Sequence, residues 1–357
     1  MNRFFLFKVL YFLVSMSSIA ISVNAQEPYI LLSDGGETMT FYYDNEKNSR
    51  NGIDINDHFM NHNPPYGSAK TAIFDNSFAN YEPKSTAYWF LDCFELTTLK
   101  GLENLKTDNV TDMGYMFYGC SSLKELDLSP LKTDKVENMK CMFFGCTNIS
   151  NLDLSGFKTG SVKSMDQMFR NCISLSQINI SNFDTYNVTN MDLMFYNCQS
   201  LKSIDLHSFK TDNVTEIGYM FCECFSLERL DLSGFKTDNV SDMAGLFKDC
   251  SNLTTIYVGN DWNTSNVIYG TIVFQNCTKL VGEKGTNYSD DLTSYIYARI
   301  DGGPSAPGYF SSLDSSNIKS TQYNNNKKRS VYSISGQKLE NLKKGINIVD
   351  GKKIILK

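Results

Sequence analysis

The chain has very little histidine, the side chain that most often acts as a general acid or base in catalysis. Histidine occurs only three times, and the sequence contains no Ser-His-Asp elbow, no phosphate-binding loop and no His-Glu-x-x-His motif. Such motifs bring different reactive groups to one point, which is the geometry that catalysis requires. We therefore expect no catalytic residues, no cofactor and no enzymatic activity.

Histidine ligands for a metal ion are scarce for the same reason. His58 and His62 are spaced i, i+4 and could form a metal pair, but no Cys or Glu nearby completes a ligand set. Surface polar side chains explain the two histidines more simply, so the sequence predicts no metal site. The third histidine, His207, stands where most equivalent positions of a repeat hold Ser, and we interpret it as a tolerated substitution.

Positive charge and long apolar runs are limited as well. The formal net charge is −6, which disfavours nucleic acids and anionic membranes as partners. No stretch beyond residue 25 reaches the roughly 18 apolar residues of a membrane-spanning helix. Residues 1–25 contain basic residues near the N-terminus, then an apolar run, and then Val23-Asn24-Ala25. This pattern is typical of a secretory signal peptide. We expect the protein to be secreted or held at the outer cell surface.

The dominant feature is a repeat marked by cysteine. Seven cysteines follow one another at intervals of 26 residues, with 27 at the last step: Cys120, Cys146, Cys172, Cys198, Cys224, Cys250 and Cys277. A degenerate copy ends at Cys93. A fixed period of this length indicates a solenoid, in which each copy buries its apolar face only by stacking on its neighbours.

Each copy contains two apolar patterns. Helical spacing on one face is shown by Val110, Met113, Met116, Phe117 and Cys120. Leu126 and Leu128 then alternate as in a strand. The sequence thus predicts an α/β solenoid whose coils each contain a short strand plus a short helix. Eight coils would form a parallel sheet nearly 40 Å long, at about 4.8 Å per strand.

The segments that flank the repeats have their own patterns. Tyr29–Leu32 and Thr40–Tyr43 flank an Asp-Gly-Gly turn, which predicts a β-hairpin in an N-terminal β cap. Residues 331–357 alternate apolar and polar side chains, which predicts a small C-terminal β tail. The predicted segments are a signal peptide (1–25), an N-terminal cap (26–88), eight coils (89–281), a C-terminal cap (282–310), a linker (311–330) and the tail (331–357).

Cysteines in an exported chain usually suggest disulfides. Stacked coils would bring equivalent Cα atoms to about 4.8 Å, but their Cβ vectors would run parallel, which suits buried free thiols better than bridges. We favour a ladder of free thiols. Cys141 and Cys222 lie outside the ladder and are expected to be exposed or paired.

Two other side chains recur with the same period. We expect an aromatic spine of Phe157, Phe183, Phe209 and Phe235. We expect the next recurring residue to lie in the turn that leads to the following helix: Thr133, Thr159, Thr185, Thr211 and Thr237.

The strand alternation points Leu126 and Leu128 inward, so Glu125 and Asp127 point outward. One outward column varies in every copy: Glu125, Asn151, Gln177, Ser203 and Arg229. The other is nearly constant: Asp127, Asp153, Asn179, Asp205 and Asp231. These ten residues are the predicted binding surface. The constant column has an alternative role that we favour, in which each carboxylate accepts backbone N–H groups of its own turn instead of contacting a ligand or Ca²⁺.

The full unit, Asn-Val-Thr-x-Met-x-x-Met-Phe-x-x-Cys-x-x-Leu-x-x-Leu-Asp-Leu-Ser-x-Phe-x-Thr, resembles the BspA-type leucine-rich-repeat surface proteins over about Trp89 to Phe310. The tail from Val331 to Lys357 resembles the C-terminal sorting signals of Bacteroidota. These resemblances imply surface display and binding to proteins, with host extracellular matrix proteins among the candidates. They transfer no binding residue. The predicted function is that of a monomeric adhesin, and the alternative is a structural spacer protein without a specific ligand.

Overall fold

A computed structural model describes residues 25–55 and 67–312, together with the backbone of four short strands after residue 330. His58, His62, nearly all of the predicted signal peptide and most of the predicted linker lie outside the described residues. By its internal contacts the chain divides into two compact units, Met1–Ser312 and Leu313–Lys357. Within the described part, no helix has the length and apolarity needed to cross a membrane.

The first unit begins with a five-stranded sheet. Its strands are β1 (Glu27–Ser33), β2 (Thr38–Asp44), β3 (Ile53–Asp54), β4 (Thr71–Phe74) and β5 (Thr98–Lys100), in the order β3-β1-β2-β4-β5. β1 and β2 form the predicted antiparallel hairpin. β2, β4 and β5 pair in parallel. Phe41 stacks on Phe74 at 4.5 Å between ring centroids and on Trp89 at 5.7 Å, so the sheet shares its core with the first copy of the repeat.

The copies of the repeat stack with their equivalent residues in register. Parallel bridges join successive copies through Ser85, Asp112, Asn138, Ser164, Asn190, Glu216, Asp242 and Tyr269. The strands of the repeat region are β6 (Asn151–Asp153), β7 (Gln177–Asn179), β8 (Arg229–Leu232) and β9 (Thr255–Val258). Short 3-10 helices span Asp34–Gly36, Asn76–Asn80, Leu102–Asn104 and Tyr295–Tyr297.

The predicted continuous sheet is not observed. β6 pairs only with β7, and β8 pairs with β9, so the strand positions around Leu126 and Ile204 remain irregular in the described part of the chain. Stacking does not depend on an unbroken sheet, because hydrogen bonds from the turns already join each copy to the next.

The predicted short helix is wrong: the described residues contain no α-helix, and consecutive turns occupy this segment. The N–H of Met116 bonds the carbonyl of Met113 in its own turn at 3.3 Å, whereas the N–H of Phe117 bonds Met142 of the next copy at 2.9 Å. Tyr115 (φ 59°) and Gly119 (φ 74°) have left-handed backbone, as the third residue of a type II turn requires. Backbone donors thus alternate between the local turn and the neighbouring copy.

Two columns of phenylalanine run through the core, beside buried Val, Met, Leu and Cys. One stacks nearly parallel rings through Phe117, Phe143, Phe169, Phe195, Phe221 and Phe247. The predicted spine is confirmed for Phe183, Phe209 and Phe235, whose centroids lie 6.3 and 6.4 Å apart, and Phe157 is buried in the same column. Each ring therefore buries one face against the copy before it and one against the copy after it.

The cysteine ladder is confirmed as a column of free, buried thiols. Each ladder thiol donates a hydrogen bond to a phenylalanine carbonyl of the preceding copy, as Cys172 does to Phe143 at 3.1 Å. Cys141 and Cys222 are also free and buried, so the expectation that they are exposed or paired is wrong. Both side chains are small and occupy turn positions between neighbouring copies.

The recurring threonines form a buried hydrogen-bonding column, which the sequence did not reveal. The Thr133 hydroxyl accepts a bond from the N–H of Lys158 at 2.7 Å and donates one to the carbonyl of the same residue at 3.0 Å. The same pair of bonds recurs at Thr159, Thr185, Thr211 and Thr237. One side chain in each copy thus satisfies both backbone groups of a residue in the next copy.

The C-terminal end of the first unit completes the stack with strand β10 (Phe310–Ser312), which pairs in parallel with β9. Trp262 packs edge-on against Phe310 at 5.1 Å, and its indole N–H bonds the carbonyl of Ala298 at 2.9 Å. Asp301 is fully buried and accepts backbone N–H bonds from Lys284, Thr286 and Gly303. Burial raises the pKa of Asp301, but the hydrogen bonds to its carboxylate outweigh burial and lower the pKa to about 2.

The second unit contains the predicted β tail. Its strands are β11 (Val331–Ser333), β12 (Lys338–Leu339), β13 (Gly345–Val349) and β14 (Lys352–Leu356). All of its pairings are antiparallel, in the order β12-β11-β13-β14.

Candidate binding face

The two predicted columns lie side by side on one exposed surface, which we call the binding face. In β6 the side chain of Leu152 is buried, whereas Asn151 and Asp153 on either side of it are exposed. Strand pairing sets Asn151 opposite Gln177 and Asp153 opposite Asn179. All ten predicted residues are exposed: Glu125, Asp127, Asn151, Asp153, Gln177, Asn179, Ser203, Asp205, Arg229 and Asp231.

The constant column of this face has a local structural role. The carboxylate of Asp127 accepts the backbone N–H of Ser129 at 2.9 Å, and Asp153 accepts that of Ser155 at 2.9 Å. The same bond recurs at Asp205 and Asp231, and more weakly at Asn179. Bonds to Ser129 and to Ser155 lower the pKa values of Asp127 and Asp153. The alternative that we favoured from the sequence, turn stabilisation, is therefore what the geometry shows.

The variable column is different. The side chains of Glu125, Asn151, Gln177, Ser203 and Arg229 make no hydrogen bond or ion pair within the described part of the chain. These five side chains differ in charge and size. The next residue in the series, Thr255, is less exposed, because its strand β9 is paired with β10. The equivalent side chain in five successive copies is thus exposed and uncommitted, that is, without a hydrogen bond or ion pair in the described residues.

A second exposed surface carries paired charges. Lys158 faces Asp134 at 3.6 Å, Lys210 faces Asp184 at 3.2 Å, and each pair joins successive copies. Gly160 and Tyr186 stand at the position after the recurring Thr that Asp134, Asp212 and Asp238 occupy in other copies. An open hollow of about 420 Å³ lies beside Gly160, and Asp134, Lys158 and Asp184 line it. The hollow was not predicted from the sequence, although the small Gly160 beside it departs visibly from the repeat.

Aromatic side chains line the edge formed by the turns. The guanidinium of Arg170 lies between the rings of Phe144 and Tyr196, 5.3 and 4.9 Å from their centroids. Tyr118 stacks on Phe144 at 4.4 Å, and the Tyr196 hydroxyl bonds Glu223 at 2.6 Å. This half-buried row holds Arg170 by cation–π contacts, so it serves packing between copies more than ligand binding.

One row of bridge positions brings carboxylates close together. The carboxylate of Asp192 accepts the N–H of Gly218 at 2.6 Å, and a Cβ on Gly218 would lie within 3.2 Å of both Asp192 and Asp242. Burial is the main cause that raises the pKa of Asp192 to about 7, and repulsion from Asp242 and Glu216 adds to it. The Asp192 carboxyl is therefore partly protonated near neutral pH.

A metal ion could be held at another point of the turn edge. One ligand atom each from Cys222, Glu223 and Asp249 lies within 4.8 Å of the other two. The sequence did not point to this cluster because its members come from two successive copies and follow no spacing typical of metal sites.

Comparison with known proteins places the repeat region in a family. No curated protein matches the chain. Among solved structures, it is similar to a leucine rich cell surface protein from Faecalibacterium prausnitzii A2-165, at 13% identity and a TM-score of 0.27, over 71% of this chain and 91% of that one. A family match covers residues 84–202 and again 174–288, more than half of the chain. The chain therefore belongs to the family described as "Mycoplasma protein of unknown function, DUF285".

Proposed function

We propose that this repeat protein is displayed at the cell surface and binds other proteins through its binding face. The observation that carries the proposal is the contrast between the two columns of that face. The constant column is committed to its own turns, whereas the variable column presents uncommitted side chains on a regular frame. Specificity in protein recognition needs such variety, because complementary charge and shape have to be tuned at each position.

The fold supports binding better than catalysis. Repetition spreads similar groups along a surface, so we propose that the protein is not an enzyme. We further propose that the stacked copies form a leucine-rich-repeat-like solenoid, because the bridges run without interruption from Ser85 to Tyr269. The net charge of −6 favours protein ligands over nucleic acids. Host extracellular matrix proteins and bacterial surface proteins are the proposed partner classes, with the protein acting as a monomeric adhesin.

Export and attachment are part of the same proposal. We assign residues 1–25 to a secretory signal peptide and residues 331–357 to a sorting tail, with residues 311–330 as the linker between them. The resemblance to BspA-type surface proteins and to Bacteroidota sorting signals supports this assignment. Proteolytic shaving of intact cells that carry the full chain tests it, because a displayed protein loses its repeat region to an external protease.

The binding function is tested by pull-down with the purified protein. The full chain is immobilised and exposed to fibronectin, laminin and collagen, and to an extract of outer-surface proteins from other bacteria. Saturable binding of one of these proteins, reduced when Glu125 and Arg229 are both changed to Ala, supports an adhesin. Surface display without saturable binding to any of them would favour the alternative, a structural spacer protein.

A further inference from the structure

One cluster of side chains combines a thiol with two carboxylates. Cys222 and Glu223 belong to one copy of the repeat, and Asp249 belongs to the next. Their nearest ligand atoms all lie within 4.8 Å of one another. Glu223 and Asp249 are half-buried, so the cluster is reachable from solvent on the side of the carboxylates.

The Cys222 thiol differs from the thiols of the ladder. Ladder cysteines donate their S–H to a backbone carbonyl, as Cys250 does to Phe221 at 3.0 Å. The side chain of Cys222 is only 1% exposed, yet its thiol makes no hydrogen bond within the described part of the chain. It faces two carboxylates instead. A buried sulfur with two oxygen ligands beside it and no partner of its own is an arrangement that a bound cation completes.

We propose that Cys222, Glu223 and Asp249 form a Zn²⁺ site that joins two adjacent copies of the repeat. Zinc accepts Cys sulfur at about 2.3 Å and carboxylate oxygen at about 2.0–2.2 Å, with water as a fourth ligand where three protein groups bind. A tetrahedral site of this kind separates its ligands by about 3.5 Å. The ligand atoms of the cluster lie within 4.8 Å of one another, so the two half-buried carboxylates have to turn toward the thiol when the ion binds. Thiolate is a soft ligand, which favours Zn²⁺ over Ca²⁺ and Mg²⁺.

The surroundings of the cluster fit a metal site. The Tyr196 hydroxyl donates to Glu223 at 2.6 Å, and the Asn276 side-chain amide donates to Asp249 at 2.6 Å. Outer hydrogen bonds of this kind orient the carboxylates of metal sites. The Lys248 ammonium lies 2.6 Å from the other oxygen of Asp249 and competes with the cation for it. When Zn²⁺ binds, the thiol proton passes to solvent and the sulfur–metal bond replaces the S–H bond.

Titration calorimetry of the full chain with ZnCl₂ tests the proposal. We expect one saturable Zn²⁺ per chain, absent in Cys222→Ser and weakened at least about tenfold in Asp249→Asn. Lys248→Met should bind more tightly than the parent because it removes the competing cation. Cys141→Ser is the matched control, since Cys141 is another buried, free thiol outside the ladder, and it should bind Zn²⁺ normally.

A second readout separates loss of the site from loss of folding. Co²⁺ in place of Zn²⁺ should give a sulfur-to-cobalt charge-transfer band in the parent and in Cys141→Ser, but not in Cys222→Ser. Thermal melts without metal identify any variant that does not fold, and Asp249→Asn decides the question if Cys222→Ser is such a variant. Absence of saturable binding in the parent, or equal binding in the parent and folded Asp249→Asn, would overturn the proposal.

Discussion

The Thr185 hydroxyl accepts a hydrogen bond from the backbone N–H of Lys210 and donates one to the backbone carbonyl of the same residue, each at 2.8 Å. Thr185 is completely buried, and the two bonded residues belong to successive copies. A single side chain thus replaces a pair of sheet hydrogen bonds at a place where the described chain has no strand. The stack is held by such side-chain bonds and by the turns, more than by its short strands.

Replacing Thr185 with Val should therefore destabilise the protein. Valine keeps the shape of threonine but leaves the N–H and carbonyl of Lys210 without this partner, which should cost about 1–3 kcal/mol. Chemical denaturation measures the change in the free energy of unfolding. Thr189→Val is the control, because Thr189 is exposed and its hydroxyl lies 3.5 Å from its acceptor, so the change should stay within about 0.5 kcal/mol. Equal effects at both positions would contradict the role assigned to the threonine column.

The thiols should be unreactive in the folded protein. Burial raises the pKa of Cys172 to about 12, and the thiolate is the reactive species. We expect an aromatic disulfide reagent to label almost no thiol in the native chain and all ten after denaturation without reductant. A smaller number in denaturant would reveal disulfides, and rapid labelling of the native protein would show that the ladder is accessible.

Asp192 should make stability depend on pH. Its pKa is about 7 in the folded chain and about 3.9 in the unfolded chain. Between these values only the unfolded chain ionises, so the contribution of Asp192 is fully present below about pH 4 and is lost as the pH rises through 7. Asp192→Asn removes this titration while keeping an oxygen to accept the Gly218 N–H. The melting temperature of the variant, measured relative to that of the parent, should therefore rise between pH 5 and pH 8.

Asp134→Asn provides the control for that pH series. Asp134 is an exposed carboxylate whose nearest charged partner, Lys158, is 3.6 Å away. The melting temperature of the Asp134→Asn variant should follow that of the parent at every pH between 5 and 8. If the melting temperatures of Asp192→Asn and the parent differed by the same amount at every pH in this range, Asp192 would already be ionised at pH 5.

The repeat and its inward columns could be predicted from the sequence, but the helix could not be excluded. Val110, Met113, Met116 and Phe117 have the spacing of one helical face, and consecutive turns of three to four residues give the same inward spacing. The difference lies in the backbone: Tyr115 is left-handed, a conformation that its side chain disfavours. Cross-copy hydrogen bonds stabilise that conformation, and they depend on a neighbour that no local window of sequence contains.

In the candidate site, too, the local features could be predicted from the sequence and the contacts between copies could not. Alternation around Leu152 predicted which residues are exposed, because strand geometry is local. The role of Asp153 was one of two alternatives, and the bond to Ser155 two residues later decided it. The cluster of Cys222, Glu223 and Asp249 was not predicted, since it depends on how one copy sits on the next.

Removing the second unit should leave the first intact. The chain separates into units that end at Ser312 and begin at Leu313. A protein truncated after Ser312 should keep the melting temperature of the repeat region, because β10 and the Trp262–Phe310 contact remain. The same truncation should abolish surface display in cells if residues 331–357 are a sorting tail. A large drop in melting temperature would show instead that the second unit stabilises the stack.

The affinity of the full chain for its captured protein partner tests the central claim most directly. Changing Glu125 and Arg229 together to Ala should weaken binding about tenfold or more, with an unchanged melting temperature, because both side chains are exposed and uncommitted. Changing Asp134 and Lys158 together to Ala removes the same two charges from the other exposed surface and should leave the affinity unchanged. Equal affinity in the parent and the Glu125/Arg229 variant, or loss of binding only in the Asp134/Lys158 variant, would contradict the account.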